Sequence, residues 1–351
     1  MTHRRYRVVQ WTTGNVGKRS VAAIAVNPRF ELVGCYAWSS AKVGEDVGTM
    51  CGIEPMGIAA TDDIDALLAL EPDCVVYNPM WFSIDELVRI LESGANVVST
   101  AAFVNGRRLG ADRDRLVAAC ERGGSSLFGS GISPGFVELL AIVAAGICDR
   151  IDKVIVNEQA YTTFYDSPDT ERPAGFGRPI DDPDLSTMTA DGTAVFGEAV
   201  AMVADALGVD LDEIVCVSEH AAATTDIEMA SWTIPAGHVA GVRASWQGRV
   251  GDRAIVELNV CWKKAPGLDP DWEITKDGHS IEVHGLPTVN VELGFLPPPD
   301  FEAETIEEFM VIGHVLTALP ALNAIPSVVA AAPGIVSYPD LPLVLPRGWV
   351  R

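Results

Sequence analysis

The chain has 351 residues, 48% of them hydrophobic, and a formal net charge of −23 at pH 7. That balance excludes nucleic acid as a partner, because a polyanion would be repelled at every approach. Any anionic cofactor must therefore be held by a local exception, a few cations and backbone N–H groups gathered in one place. No uninterrupted apolar run reaches the 18 residues of a membrane span, and the start of the chain reads as a strand rather than a secretory leader, so we expect a cytoplasmic protein with no membrane partner.

Residues 6 to about 148 alternate strand and helix. "YRVVQW" is a short apolar strand, and "NVGKRSVAAIAVN" a helix with Val16, Val21 and Ile24 on one face, stopped by Asn27-Pro28. "FELVGCYAW" and "DCVVYNP" are further strands, the second ended by Pro79. "SIDELVRILESG" opens on a serine cap with an acidic first turn and closes on glycine, the start and stop signals of a helix. "ANVVST" and "SSLFGSG" are strands around the helix "DRDRLVAACERGG". Apolar strands joined by crossover helices predict an α/β domain, a Rossmann-type parallel sheet covered on both faces.

From about residue 151 the strands lengthen and alternate in polarity. In "RAIVELNVCWKK", Ala254, Val256, Leu258, Val260 and Trp262 face one way, Glu257 and Asn259 the other. A hairpin through Gly251-Asp252 joins it to the preceding strand, and a second hairpin is expected around Asp277-Gly278. The result is an α+β domain with an open antiparallel sheet, containing one clear helix, "GTAVFGEAVAMVADALG", and a long proline-rich loop over 163–184. The expected division is 1–148 for the cofactor, 149–303 for substrate and dimerisation, and 304–351 as a helical segment returning to the first domain. The seven cysteines are scattered with no C-x-x-C pair and read as small buried hydrophobes.

The first strand–helix turn is Thr12-Thr13-Gly14-Asn15-Val16-Gly17. A dinucleotide cradle needs a tight turn, a glycine where the pyrophosphate meets the backbone, and a small residue where helix meets strand. Gly14 and Gly17 meet the last two needs; Thr12 sits at the turn, tolerable there if its φ stays negative. The N–H groups of the helix start at Asn15 and Val16 complete the cradle. After the second strand an NAD site usually carries Asp or Glu; here Trp38 is followed by Ser39, Ser40 and Lys42. Hydroxyls and an ammonium suit a 2′-phosphate, so the expected cofactor is NADP, the plain alternative being a solvated loop. Asn78 and Pro79, Ala101 and Ala102, and Ser133 stand at the strand ends where the nicotinamide is expected.

The stretches "WTTGNVGK", "WSSAKVGEDVG", "YNP", "GSGISPGF" and "NAIPSVVAAAPGI" resemble the dihydrodipicolinate reductase-like NAD(P)-dependent oxidoreductases. More narrowly they are similar to the native amine dehydrogenase and 2,4-diaminopentanoate dehydrogenase group. The resemblance implies a Rossmann domain, a substrate and dimerisation domain forming a homodimer, and nicotinamide-linked interconversion of a small amine and a carbonyl compound. The group's S-T-x-E-E motif carries a glutamate thought to shuttle protons. This chain reads "VVSTAAFVNG", in which Ser99 and Thr100 match while Ala101, Ala102 and Phe103 replace the rest. The histidine-rich motif of the dihydrodipicolinate reductases is not found.

A methyl group accepts no proton, so another base is needed or the reaction differs. Glu158, ending the strand "DKVIVNEQAY", is the first candidate, with Tyr161 and Tyr165 following and Asp166 beyond them. The plain alternative makes Glu158 a solvent-facing strand residue and the tyrosines packing groups. Glu219, His220, Trp232 and His238 are weaker candidates. The six histidines show no H-E-x-x-H spacing, so no metal is expected, and no G-x-S-x-G elbow is present. Three readings remain: an amine dehydrogenase-like enzyme, an NADP-dependent carbonyl reductase working without ammonia, or an NADP-binding protein without turnover.

Overall fold

The computed structural model describes residues 4–101 and 104–350. The chain divides into two compact units, one running to Phe136 and resuming at Val311, the other Val137–Met310. The division falls at the first residue of the helix Phe136–Ala145.

In the first unit, strands β1 (Tyr6–Trp11), β2 (Phe30–Tyr36), β3 (Cys74–Tyr77), β4 (Asn96–Ser99) and β5 (Ser126–Gly129) form a parallel sheet. The order runs β2-β1-β3-β4-β5 and is closed by a short strand from the chain's end, Gly334–Val336. The strand order reverses at β1, so the crevice beyond the carboxyl ends of β1 and β3 is where this architecture binds ligands. The strands are short and buried on both faces, as their unbroken apolar runs require. The helix Ile84–Glu92 begins where expected, with Ser83 Oγ accepting from the Glu86 N–H at 3.3 Å. Val311–Val328 is long and apolar enough, by length and composition, to cross a membrane. Here it lies against Asn15–Val26 and the sheet, burying Ala318, Leu322, Ile325 and Val328.

The second unit is built on β6 (Arg150–Tyr161), β7 (Glu213–Ala222), the small pair β8 (Ile227–Glu228) and β9 (Thr233–Ile234), β10 (Val239–Val250), β11 (Arg253–Lys263), β12 (Gly278–Leu286) and β13 (Val289–Leu293). Its large sheet has the order β13-β12-β6-β11-β10-β7 and is mixed, because β6 and β11 run parallel. β10 and β11 are joined through Gly251-Asp252 as the turn residues require. The second hairpin is displaced: β12 pairs with β13 through Pro287-Thr288, and Gly278 is the first residue of β12. Its φ of +130° and the Leu293 carbonyl oxygen, which would lie 2.5 Å from an added Cβ, make this glycine a close approach, not a turn. The proline-rich stretch is not all loop; it holds the turns Pro168–Glu171 and Arg172–Ala174 and the start of the helix Leu185–Gly192 follows it directly.

The helix Val195–Leu207 covers one face of this sheet at β10 and β11. The contact is close at Gly197, where an added Cβ would stand 2.7 Å from the Trp246 ring, itself pinned by its Nε1–H donating to Thr193 Oγ1 at 3.0 Å. Gly197→Val should therefore lower unfolding stability by about 1–3 kcal/mol, the usual cost of overpacking. Urea titration followed by tryptophan fluorescence checks it; an unchanged midpoint would show that the indole moves freely.

Candidate functional site

The turn after β1 contradicts one expectation. Thr12 has φ +68°, in the left-handed region that a β-branched residue rarely enters. It is held there from several sides. Its N–H donates to the Tyr36 carbonyl at 3.0 Å, its Oγ1 donates to the Asn78 carbonyl at 3.1 Å, and its carbonyl accepts from Gln10 Nε2 at 2.9 Å. Gln10 Nε2 also reaches Asn78 Oδ1 at 2.9 Å, and Asn78 Nδ2 donates to Thr100 Oγ1 at 2.7 Å. Side chains beyond β1, β3 and β4 are thereby tied into one buried network at the switch point.

The glycines answer two different needs. At Gly17 an added Cβ would stand 2.4 Å from the Thr12 carbonyl oxygen, so the close approach of helix to strand demands glycine. Gly14 precedes the helix Asn15–Val26 in extended conformation (φ −72°, ψ −175°), and no side chain caps the helix start. An added Cβ at Gly14 meets no protein atom within 4 Å. Free N–H groups at a helix start, beside space kept clear by glycine, fit a pyrophosphate.

The cations are also there. Lys42 Nζ donates to Thr13 O and Oγ1, both at 3.1 Å, which brings the ammonium back to the turn. Burial pushes the Cys51 thiol up to about 11, with Lys18, Lys42 and Arg19 opposing it electrostatically. Ser39 is half-buried and Ser40 exposed, and residues 37–44 include no carboxylate. Pro79 follows Asn78 half-buried, and Ala101, buried, donates its N–H to Ser99 Oγ at 3.0 Å. Ser133 lies just before the helix Phe136–Ala145, half-buried. Ala102 and Phe103, where the similar group's motif carries acid, lie outside the described residues.

In the second unit Glu158 is not solvent-facing. It lies on the same side of β6 as the buried Val154 and Val156. Trp262 Nε1 donates to its Oε1 at 2.8 Å, and His279, its direct cross-strand partner on β12, places Nε2 3.3 Å from Oε2. Asp277 is adjacent and accepts from the Tyr161 N–H, while Phe295 meets the imidazole edge-on at 5.8 Å. Burial opposes a charged imidazole, but Glu158, Glu138 and Asp277 together outweigh it and raise the His279 pKa above its ordinary value. Asp277 is exposed overall, but partial desolvation of its carboxyl raises its pKa, with Glu158 adding to the effect.

The other candidates do not join this cluster. Tyr161 is 40% exposed with Lys263 Nζ over its ring at 5.5 Å, and Tyr165 is 44% exposed with its hydroxyl 3.2 Å from Thr170 Oγ1. His220, whose pKa burial lowers, shares a 2.8 Å hydrogen bond with Thr189 Oγ1, and Glu219 faces Arg243 at 3.6 Å. Trp232 stacks under Arg172, and His238 Nδ1 lies 3.2 Å from the Ala236 carbonyl. Sequence reasoning missed Gln10, Trp262, Asp277 and His279 as site residues, and met Thr100 only in the motif match; of the four, only the unusual polarity of Gln10 in an apolar strand could have been a signal. It also missed Lys264, fully buried against Glu171, whose Nζ donates to the Thr162 and Tyr165 carbonyls at 2.9 and 2.6 Å and fixes the start of the 163–184 segment.

A switch-point cradle of this kind, followed by a domain with one covered sheet, defines a nicotinamide-dependent oxidoreductase. The family described as 2,4-diaminopentanoate dehydrogenase C-terminal domain matches residues 136–350. An amine dehydrogenase of Streptomyces virginiae is 32% identical over 352 residues, covering 95% of this chain and 96% of that one. The 2,4-diaminopentanoate dehydrogenase of Acetoanaerobium sticklandii is 24% identical over 74% of this chain and 70% of its own length. The solved structure of an amine dehydrogenase from Mycobacterium smegmatis shares the fold with TM-score 0.79 at 20% identity, covering 99% of both chains. The chain belongs to the amine dehydrogenase and 2,4-diaminopentanoate dehydrogenase family.

The cradle makes a direct prediction. Gly14→Val has room in the protein and an allowed φ, so the variant should fold with an unchanged melting temperature and lose nicotinamide binding. Fluorescence titration of NADPH reads the affinity; a folded variant that binds as wild type does would place the cofactor elsewhere.

Proposed function

We propose that this protein is an NADP-linked amine dehydrogenase, interconverting a small primary amine with its ketone or aldehyde. Family membership supports the reaction class, and the observation that carries the cofactor choice is Lys42 folded back on Thr13 beside a β2 end without carboxylate. With the cofactor bound, the nicotinamide supplies the hydride. The protein's own tasks are to hold the phosphates at Gly14 and the helix start, to orient the substrate nitrogen, and to move a proton. In the reductive direction a ketone, ammonia, NADPH and a proton become a primary amine, water and oxidised NADP, so one proton must be delivered as water leaves the carbinolamine. With alanine at 101 and 102 in place of the group's acid, we assign that proton to Glu158, the half-buried carboxylate of the second unit held by Trp262 and faced by His279. We further propose a cytoplasmic homodimer.

The test of the reaction is reduction of oxidised NADP by a panel of small primary amines, with the matching secondary alcohols as controls. Turnover of amines supports the proposal; turnover of alcohols alone favours an ammonia-independent carbonyl reductase. For the cofactor, NADPH should bind at least about tenfold more tightly than NADH. Lys42→Glu should weaken NADPH by roughly 1–3 kcal/mol, the scale of a charge-assisted contact, and NADH much less. Equal affinities in wild type would contradict the assignment.

A further inference from the structure

The Glu158 cluster contains one group that the reaction as stated leaves unused. His279 has a side chain 9% exposed, and although its Nε2 stands at ion-pair distance from Glu158, neither ring nitrogen completes a well-aligned hydrogen bond among the described residues. A nearly buried imidazole whose nitrogens complete no hydrogen bond is uncommon, because their desolvation then goes largely uncompensated. The groups around it come from every neighbouring element: Glu158 on β6, Trp262 on β11, Asp277 before β12, Glu138 on the helix Phe136–Ala145, and Phe295 beyond β13. Three of these five are carboxylates, and among the described residues no lysine or arginine forms an ion pair with Glu158. The carboxylate is instead fixed on one oxygen by the Trp262 indole, which leaves the other to the imidazole.

We infer that Glu158 and His279 work as one proton-exchanging pair, Glu158 meeting the substrate nitrogen or its departing water and His279 acting through it as the proton reservoir. The inference rests on the amine dehydrogenase reading above. In the reductive direction, protonated His279 passes its Nε2 proton to Glu158, and Glu158 protonates the carbinolamine oxygen. The C–O bond breaks, water leaves, and the iminium accepts the hydride. In the oxidative direction Glu158 takes a proton from the substrate ammonium and neutral His279 receives it, discharging it afterwards to solvent. The raised His279 pKa fixes the sign: reductive amination falls as pH rises through that pKa, and amine oxidation rises across the same range. Tyr161 and Tyr165 have no part in this transfer.

Two measurements on the full chain test the pair. In histidine-labelled protein, NMR titration should place His279 above the ordinary 6.5, and Glu158→Gln, which can still accept from Trp262, should lower it. In steady state, His279→Gln should slow reductive turnover about 10²-fold and remove the alkaline limb of its pH profile, with an unchanged melting temperature. Should His279→Gln fold poorly, His279→Asn and the titration of wild type against Glu158→Gln carry the test. A His279 that titrates at or below its ordinary value and ignores Glu158→Gln overturns the pair, as does an active His279→Gln enzyme with the wild-type pH profile. An intact pair by NMR in a protein that turns over no amine would support the pair and count against the amine dehydrogenase reading instead.

Discussion

The cofactor end of this molecule depends on one constraint, the left-handed backbone of Thr12. A non-glycine residue there costs on the order of 1–3 kcal/mol and persists only when its surroundings over-determine it. The surroundings are Gln10 and Asn78, both buried, whose amides and carbonyls hold Thr12 and each other. With Thr12 fixed, its carbonyl stands where only Gly17 can pass, the helix Asn15–Val26 starts close against β1, and its free N–H groups face the space beside Gly14. A threonine thus serves where a glycine is usual because its hydroxyl gives back, as a hydrogen bond, part of what its backbone costs.

Charge is handled in opposite ways in the two units. The chain as a whole is strongly negative, yet Lys42 is folded back on Thr13 at the turn after β1, with Lys18 and Arg19 on the helix that follows, a local field suited to an anion. In the second unit Glu158 stands beside a single imidazole on which Glu138 and Asp277 also act electrostatically, a field suited to a cation or a held proton. Both are short-range arrangements in partly buried settings, where pairwise interactions exceed those of scattered surface charge. The Lys264–Glu171 pair is a third case, spent on fixing backbone carbonyls of the segment that begins at Thr162.

Much of this was legible in the sequence, and the remainder failed for definable reasons. Alternating apolar strands and helices, the serine cap at Ser83 and the Gly251-Asp252 hairpin are local signals, and local rules read them. The sign of φ at Thr12 was not legible, because it is set by Asn78 just beyond another strand. The placement of Asp277-Gly278 misled, since a pair of turn-forming residues can also mark a strand's close approach. Glu158 stood out by its position, but its partial burial and its partner did not. His279 becomes significant only when β12 is laid beside β6, and Trp262 only when β11 lies parallel on the other side. Those pairings are tertiary, and no spacing along the chain encodes them. The same holds for the tyrosines, whose chemistry suits proton donation and whose placement keeps both half-exposed.

Everything proposed for the chemistry requires that hydride from NADPH reach a carbon that carries nitrogen. The direct measurement uses NADPH deuterated at the transferred position of C4, a small ketone and ammonia, with mass spectrometry of the products. One deuterium on the amine-bearing carbon and none in an alcohol is the predicted result. Deuterium recovered in the secondary alcohol, with ammonia making no difference, would contradict it.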